Sequence, residues 1–547
     1  MSFQNLTVAI VQNPWTSLLG VLLLGLGYLL LRPVYVYFRD PLHLRRFSAP
    51  NLLAAMTPLW MMRATWSGKR YAWLHREHER LGDVIRIGPS HLSFNDPRAV
   101  SDIYGHQAAG KIGKDVFYDT LAGQYHDVFQ STDRADHSRK RKYIANSFAL
   151  KNVVRMEPLI RDHVRTLIAR IDEWCQKDNA EPPLDMRRWF NYLTYDVIGS
   201  MAFSQPFGFL RNRSDSKVVE GVGEQYEVPS AIDALIFGLR FNVTMAQLST
   251  SLGTVRTVKA LIRSIPGLGR WLGADKSVDF DNICKQHLRR RIEKPVDPST
   301  DDFIQSILTD RNGEEREVPF LELFAESGVI IGAGNATTTG ALSSSCYFLA
   351  SHPECFARLR KEVDSVMPFA AGDHSDLGQE IVPYDLIKNL PYLRAVIDET
   401  LRLRPPISFA LPRRVYAPEG ADIAGHHVRQ GTIVAVPPYT IHRKASLYSD
   451  PEAFKPERWF QEEGSFDPEK ESEIHNLKTY NIAFSQGSRA CIGRHIAVVE
   501  VQILLATMVR RYDISLVSKG QQLDIFEQFN ANPGPLPLIV SRRVAAS

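Results

Sequence analysis

Cysteine is scarce in this chain: there are five in 547 residues, at positions 175, 284, 346, 355 and 491. They are scattered, odd in number and include no CxxC pair. That excludes a disulfide framework and a cysteine-built zinc site. Charge of one sign is also missing. Lys+Arg 65 against Asp+Glu 61 leaves a formal +4, too weak an excess for a nucleic-acid-binding surface. No internal repeat is visible, and no flavin or iron–sulfur motif. Only one long apolar run occurs, so a polytopic membrane protein is excluded. Hydrophobic residues at 44% and charged residues at 23% are ordinary for a folded enzyme and exclude wholesale disorder.

The one apolar run stands at the start. No charged residue occurs from Met1 to Leu31, and residues 14–31 read PWTSLLGVLLLGLGYLLL. About 20 apolar residues suffice for a helix to cross a bilayer. There is no basic start and no small-residue cleavage site, so the run reads as a signal anchor and not as a removed leader. Arg32, Arg39, Arg45 and Arg46 follow it against a single acid, Asp40, and the basic flank stays cytosolic. The expected organisation is a lumenal tail (1–13), a transmembrane anchor (14–31), a basic, proline-bearing linker (32–59) and a catalytic domain (60–547). A single-pass protein of the endoplasmic reticulum with its catalytic domain in the cytosol follows.

Beyond the linker the chain is mainly α with minor β. DVIRIGPSHLS (83–93) alternates apolar and polar residues about a Gly-Pro turn and predicts two strands. Helical periodicity dominates from 153 to 363. Short strand-like runs return between 412 and 438. The polar stretches 370–379 and 462–476 read as surface loops. One large helical domain with a small sheet is expected.

The chemistry concentrates at Cys491. The window Phe484-x-x-Gly487-x-Arg489-x-Cys491-x-Gly493 sets one thiol among two glycines and an arginine, ahead of an apolar helical run (496–509). A thiolate before a helix N-terminus meets the positive end of the dipole and is a ready metal ligand. Glu399 and Arg402 are i,i+3 on a helix predicted to start at Pro391 and stop at Pro405-Pro406, so they share a face. His137 and Arg141 are i,i+4 and share a face. The stretch VIIGAGNATTTGALSSS (329–345) is rich in small residues. Its glycines are poor helix formers and imply close approach by something bulky, or a widened turn.

Taken together these motifs resemble the cytochrome P-450 superfamily, the haem-thiolate monooxygenases. The window about Cys491 matches the haem-binding signature at every position. Glu399-x-x-Arg402 resembles the ExxR motif, Pro456-Glu457-Arg458-Trp459 the PERF-type motif, and Ala333 to Thr338 the oxygen-binding stretch of the long central helix. His137-x-x-x-Arg141 resembles the propionate motif, with His where many members have Trp. The resemblance spans about residues 60–540, and runs such as IRIGPSHLSF and VPPYTIHR look like filamentous-fungal microsomal members.

The resemblance implies haem b with Cys491 as axial thiolate and metal ligand. Phe484, Gly487, Arg489, Gly493, His137, Arg141 and Arg413 would surround it. A buried Glu399–Arg402–Arg458 cluster would hold the cysteine loop. Thr337 would be the catalytic alcohol, with Asn335 and Ala336 beside it. The residue before that threonine is usually an acid. Here it is Ala336, so proton delivery is expected to run through water, Asn335 or the substrate, or else Ala336 makes room for the substrate. Phe117, Ile407, Phe409, Ala410, Leu411 and Phe529 are expected to line an apolar, aromatic pocket.

The implied activity is insertion of one oxygen atom of O2 into a small apolar or aromatic metabolite, a tailoring hydroxylation or epoxidation in fungal secondary metabolism. Two other readings are a benzoate-type catabolic hydroxylase and a haem-thiolate isomerase or dehydratase that needs no NADPH. The implied partner is a membrane-bound NADPH–cytochrome reductase. The basic cluster Arg134, Arg139, Lys140, Arg141 and Lys142 is its expected docking face.

Overall fold

The structure is a computed structural model. It describes residues 14–176, 183–221, 224–248, 252–293, 302–310, 312–368, 381–461 and 467–543. The centre of the molecule is one 32-residue helix, Phe320–Ser351, about 48 Å long at 1.5 Å per residue. Residues 329–345 fall inside it. It packs against helices Met186–Phe203, Lys276–Glu293, Pro391–Leu403 and Arg494–Arg511. Together they enclose the largest apolar core, with Phe190, Leu342, Leu393 and Leu504 among its fully buried members. Of the glycines of the central helix, Gly334 has a packing cause. A Cβ on Gly334 would stand 2.9 Å from Ile198 Cδ1 of the neighbouring helix, so a side chain here would force the Ile198 side chain to shift.

The expected helix boundaries at the cluster follow from capping. Proline opens the Pro391–Leu403 helix in its first turn, where its missing N–H costs nothing. Asp133 caps the Arg134–Ile144 helix by accepting from the Asp136 amide at 2.7 Å. Gly493 stands at the N-cap of the Arg494–Arg511 helix.

The minor sheet has five strands in the order Val84–Gly88, His91–Phe94, Ile433–Ala435, Arg413–Val415, Ile112–Lys114. The first two form the hairpin expected about the Gly-Pro turn. Ile433–Ala435 runs parallel to His91–Phe94, and the last two pairings are antiparallel. The final pairing sets Lys114 opposite Arg413. This register brings two cations from distant parts of the chain to one place.

The N-terminal helix runs Pro14–Arg39, through Pro33 and past the expected end of the anchor. The expected tail, 1–13, lies outside the described residues, as do the side chains of much of 14–31. Among the described residues no helix is long and apolar enough to cross a membrane. Leu23, Tyr28, Leu30, Leu31, Val34, Tyr35 and Phe38 of the N-terminal helix are exposed, and Val36 and Tyr37 are half-buried.

Candidate functional site

A cavity of about 1060 Å3 opens against the middle of the central helix. It is as large as the biggest small-molecule pockets. Cys491, Phe484, Arg489 and Gly493 line one side of it, and Thr337, Gly334 and Ala333 another.

The loop carrying Cys491 is tightly specified. The Cys491 amide donates to Phe484 O at 2.9 Å, and Ala490 N to Gly487 O at 3.1 Å. Gly487 has φ +68°, and a Cβ there would stand 2.2 Å from Tyr104 O, so no other residue fits this close approach. Burial pushes the Cys491 thiol up. The backbone at Gly493 and the charges of Arg141 and Arg494 oppose it and favour the thiolate.

Beneath this loop lies a polar network with almost no exposure. Arg402 makes a bidentate pair with Glu399 at 2.8 and 2.9 Å, and both side chains are fully buried. Arg458 adds a contact at 3.1 Å, and the Trp459 indole N–H donates to Glu399 at 2.9 Å. The remaining Arg402 donors reach the carbonyls of His442, Pro451 and Ala453. His442 then carries the network to the cysteine loop. The Ile482 amide donates to its Nε2 at 2.9 Å, and its Nδ1 lies 3.2 Å from Arg402 O. Burial, with Arg402 beside it, pushes His442 down to about 3. It stays neutral, with Nε2 free to accept. His442 was not foreseen as part of this site, and Trp459 was singled out only as the last residue of the PERF-type motif.

Cations gather on the adjoining wall. Arg141 donates to Ala490 O at 3.0 Å, Arg489 to Ser131 O at 2.8 Å and Arg413 to the Tyr118 hydroxyl at 2.8 Å. Lys114, also unforeseen, is buried, lines the cavity, and donates to Phe129 O. Burial, Arg413 and Arg489 lower its pKa. Burial and these neighbouring cations push His137 down to about 3, and burial and Arg413 push Arg489 down to about 10. None of the five has a carboxylate in ion-pair contact among the described residues. Three arginines without a carboxylate partner, with His137 and Lys114 as further donors, suit a flat, doubly anionic ligand. With the thiol alongside, the donor set fits haem and its two propionates.

Other expected residues are placed differently. Asn335 is buried and does not reach the cavity: its amide donates to Thr194 Oγ1 at 2.7 Å and to Asn191 O at 3.3 Å. Ala336 packs into the core and is not part of the lining. Neither a proton path through Asn335 nor room opened by Ala336 agrees with this geometry. At 100° per residue, 334, 337, 338 and 341 share a face that 335 and 336 leave. That signal was present in the sequence. Thr337 does line the cavity, its Oγ1 donating to Ala333 O at 2.7 Å.

Ile407, Leu411 and Phe529 line the cavity, but Phe117, Phe409 and Ala410 do not. Phe117 and Phe409 pack behind it in an aromatic cluster with Phe529. Arg413 likewise lies behind the wall, held by Tyr118.

The basic cluster expected to dock a reductase is largely engaged internally. Lys140 is buried, 3.0 Å from Glu322 and 3.3 Å from Glu326. Arg139 pairs with Glu322 and Asp136, and Arg141 turns inward. Arg134 and Lys142 are exposed.

Comparison with known proteins agrees with the geometry. The family model "Cytochrome P450" matches residues 50–540. Benzoate 4-monooxygenase of Aspergillus niger is 28% identical over 550 residues, covering 99% of this chain and 100% of the relative. Trichothecene C-15 hydroxylase of Fusarium sporotrichioides is 29% identical, covering 91% and 92%. A cytochrome P450 monooxygenase of Aspergillus oryzae is 30% identical, covering 89% of each.

Proposed function

The chain belongs to the cytochrome P450 family, whose members bind haem through a cysteine thiolate, and from that premise we propose that Cys491 would hold the haem of a tailoring monooxygenase acting on a small apolar or aromatic metabolite. The observation that carries the assignment is the pairing of the Cys491 thiol with an unneutralised cationic wall in one cavity. His137, Arg141, Arg489 and Lys114 would receive the propionates, with Arg413 supporting them through Tyr118. When bound, haem would supply the activation of O2.

The protein's own part is positioning and proton control. The Glu399–Arg402–Arg458 network, through His442, holds the loop so that the sulfur faces the cavity. Leu411, Ile407, Val436 and Phe529 keep the reacting region apolar and exclude water. Thr337 Oγ1, parked on Ala333 O, can turn and donate its proton into the cavity. No acid neighbours it in sequence, so oxygen activation leans on water or on a polar group of the substrate. The benzoate relative favours one second reading, hydroxylation of a benzoate-type aromatic.

The proposed electron donor is a membrane-bound NADPH–cytochrome reductase. Anchoring through residues 14–31 in the endoplasmic reticulum, with the catalytic domain cytosolic, is supported by the exposed apolar side chains of the N-terminal helix. Leu59 at the end of the linker and Leu261, Ile265 and Trp271 in the catalytic part are also exposed apolar side chains.

The test is turnover of an aromatic substrate panel by microsomes with reductase. Product formation requiring NADPH and O2, and diverted to peroxide in Thr337→Ala, is expected. Turnover without NADPH would favour the isomerase or dehydratase class instead.

A further inference from the structure

The cavity has a second charged region away from Cys491, and the mechanism makes no use of it. Helix Leu252–Ser264 presents three faces at 100° per residue. Val255, Val258 and Ile262 pack into an apolar cluster with Phe241 and Met245. Leu261 is exposed to the outside. The third face carries Arg256, Lys259 and Arg263, and all three line the cavity.

Lys259 is held at the wall by donating to Thr120 O at 2.8 Å. An amine fixed to a single carbonyl keeps two donors for a ligand. Burial, with Arg263 and Arg256 adding to it, pushes its pKa down to about 8. Facing this helix, Asp281 and Lys285 also line the cavity. Lys285 sits 5.0 Å from the Phe324 ring centroid. Burial pushes Asp281 up to about 6, so it offsets at most one of these charges. Among the described residues none of Arg256, Lys259 and Arg263 is ion-paired. Arg256 and Arg263 are exposed and Lys259 is half-buried. All three line the cavity that also holds Cys491 and Thr337.

We propose that Arg256, Lys259 and Arg263 form a carboxylate-binding subsite, so that the substrate is an organic acid held by its anionic end while its apolar body extends toward Thr337. This rests on the monooxygenase reading and narrows its substrate class. A carboxylate accepts from Lys259 and from one or both arginines, and charge-assisted bonds of this kind are the strong ones. A phospholipid phosphate could meet the same cations from outside. The cavity-facing geometry favours the substrate.

The experiment uses full-length, haem-loaded protein in detergent. Calorimetry compares ω-phenylalkanoic acids of increasing chain length with their primary amides, and so needs no turnover. At the best length the acid is expected to bind at least about tenfold more tightly than its amide, the equivalent of about 1.4 kcal/mol. That ratio falls toward one in Lys259→Met and in Arg263→Gln, and Lys259→Arg restores most of it. Binding to vesicles containing anionic phospholipid stays as in the wild type.

Equal binding of acid and amide, or a preference that survives both variants, would overturn the subsite. So would variants that lose vesicle binding while keeping the acid preference. The ferrous–CO spectrum of each sample reports thiolate-ligated haem separately. Arg263 is exposed, so its variant keeps the test open should Lys259→Met not fold. A missing CO band in the wild type would defeat the monooxygenase reading and leave the calorimetric comparison standing.

Discussion

The loop beneath Cys491 and the helix bearing Lys259 border the same cavity and are built on opposite rules. Under the cysteine, Glu399 receives Arg402, Arg458, the Trp459 indole and the Lys455 amide. Nearly every polar group there is satisfied within the protein, which leaves one arrangement. On the far side, Arg256, Lys259 and Arg263 have few partners and the helix is half exposed. The contrast separates two tasks. The cysteine side must hold one geometry through every turnover, while the far side must meet a ligand and can change with it.

Breaking the satisfied side should cost most. Arg402→Ala leaves Glu399 charged, buried and short of its main partner, at about 3–5 kcal/mol. Purified protein is expected to lack haem and to unfold well below the wild-type temperature. Normal haem content would contradict the positioning role. Lys114→Met removes one donor from the cationic wall, and a charge-assisted bond is worth about 1.5–3 kcal/mol. Haem transfer to apomyoglobin should accelerate about tenfold or more, with the protein still folded.

A buried acid of the central helix, Glu326, gives a smaller effect with a definite sign. Glu326 accepts from the Val128 amide and lies near Lys140 and Asp127. Burial, with Asp127 beside it, pushes it up to about 8. A raised carboxyl binds its proton more tightly folded than unfolded. Its stabilising contribution is therefore full below the ordinary carboxylate range and is lost as pH rises toward 8. The limit is about 1.4 kcal/mol per pH unit. Thermal unfolding of Glu326→Gln between pH 5 and 8 should show a shallower decline than wild type. The smallest effect belongs to the far side. Arg263→Gln should change stability by less than about 0.5 kcal/mol, as judged by thermal unfolding. A large loss would mean that this helix is structural, like the cysteine loop.

Which parts could be read from sequence follows from how local their causes are. The Cys491 window, the Glu399–Arg402 pair and the His137–Arg141 pair each lie within one turn or loop, and their spacing alone predicts a shared face. Lys114 was hidden because it meets Arg413 only through strand register, 299 residues away in sequence. His442 was hidden because its role is to bridge two loops. Phe117 and Phe409 were misplaced for another reason. An apolar side chain suits a pocket wall and the layer behind it equally well, and only packing distinguishes them. Asn335 and Ala336 were legible in principle, since helical spacing turns them away from the face of Thr337.

The ferrous–CO difference spectrum of the full-length protein beside Cys491→Ser tests the central assignment most directly. A strongly red-shifted Soret band in the wild type, absent from the variant, is the result expected for thiolate-ligated haem at Cys491. A band typical of histidine-ligated haem, or a red-shifted band that survives Cys491→Ser, would contradict it.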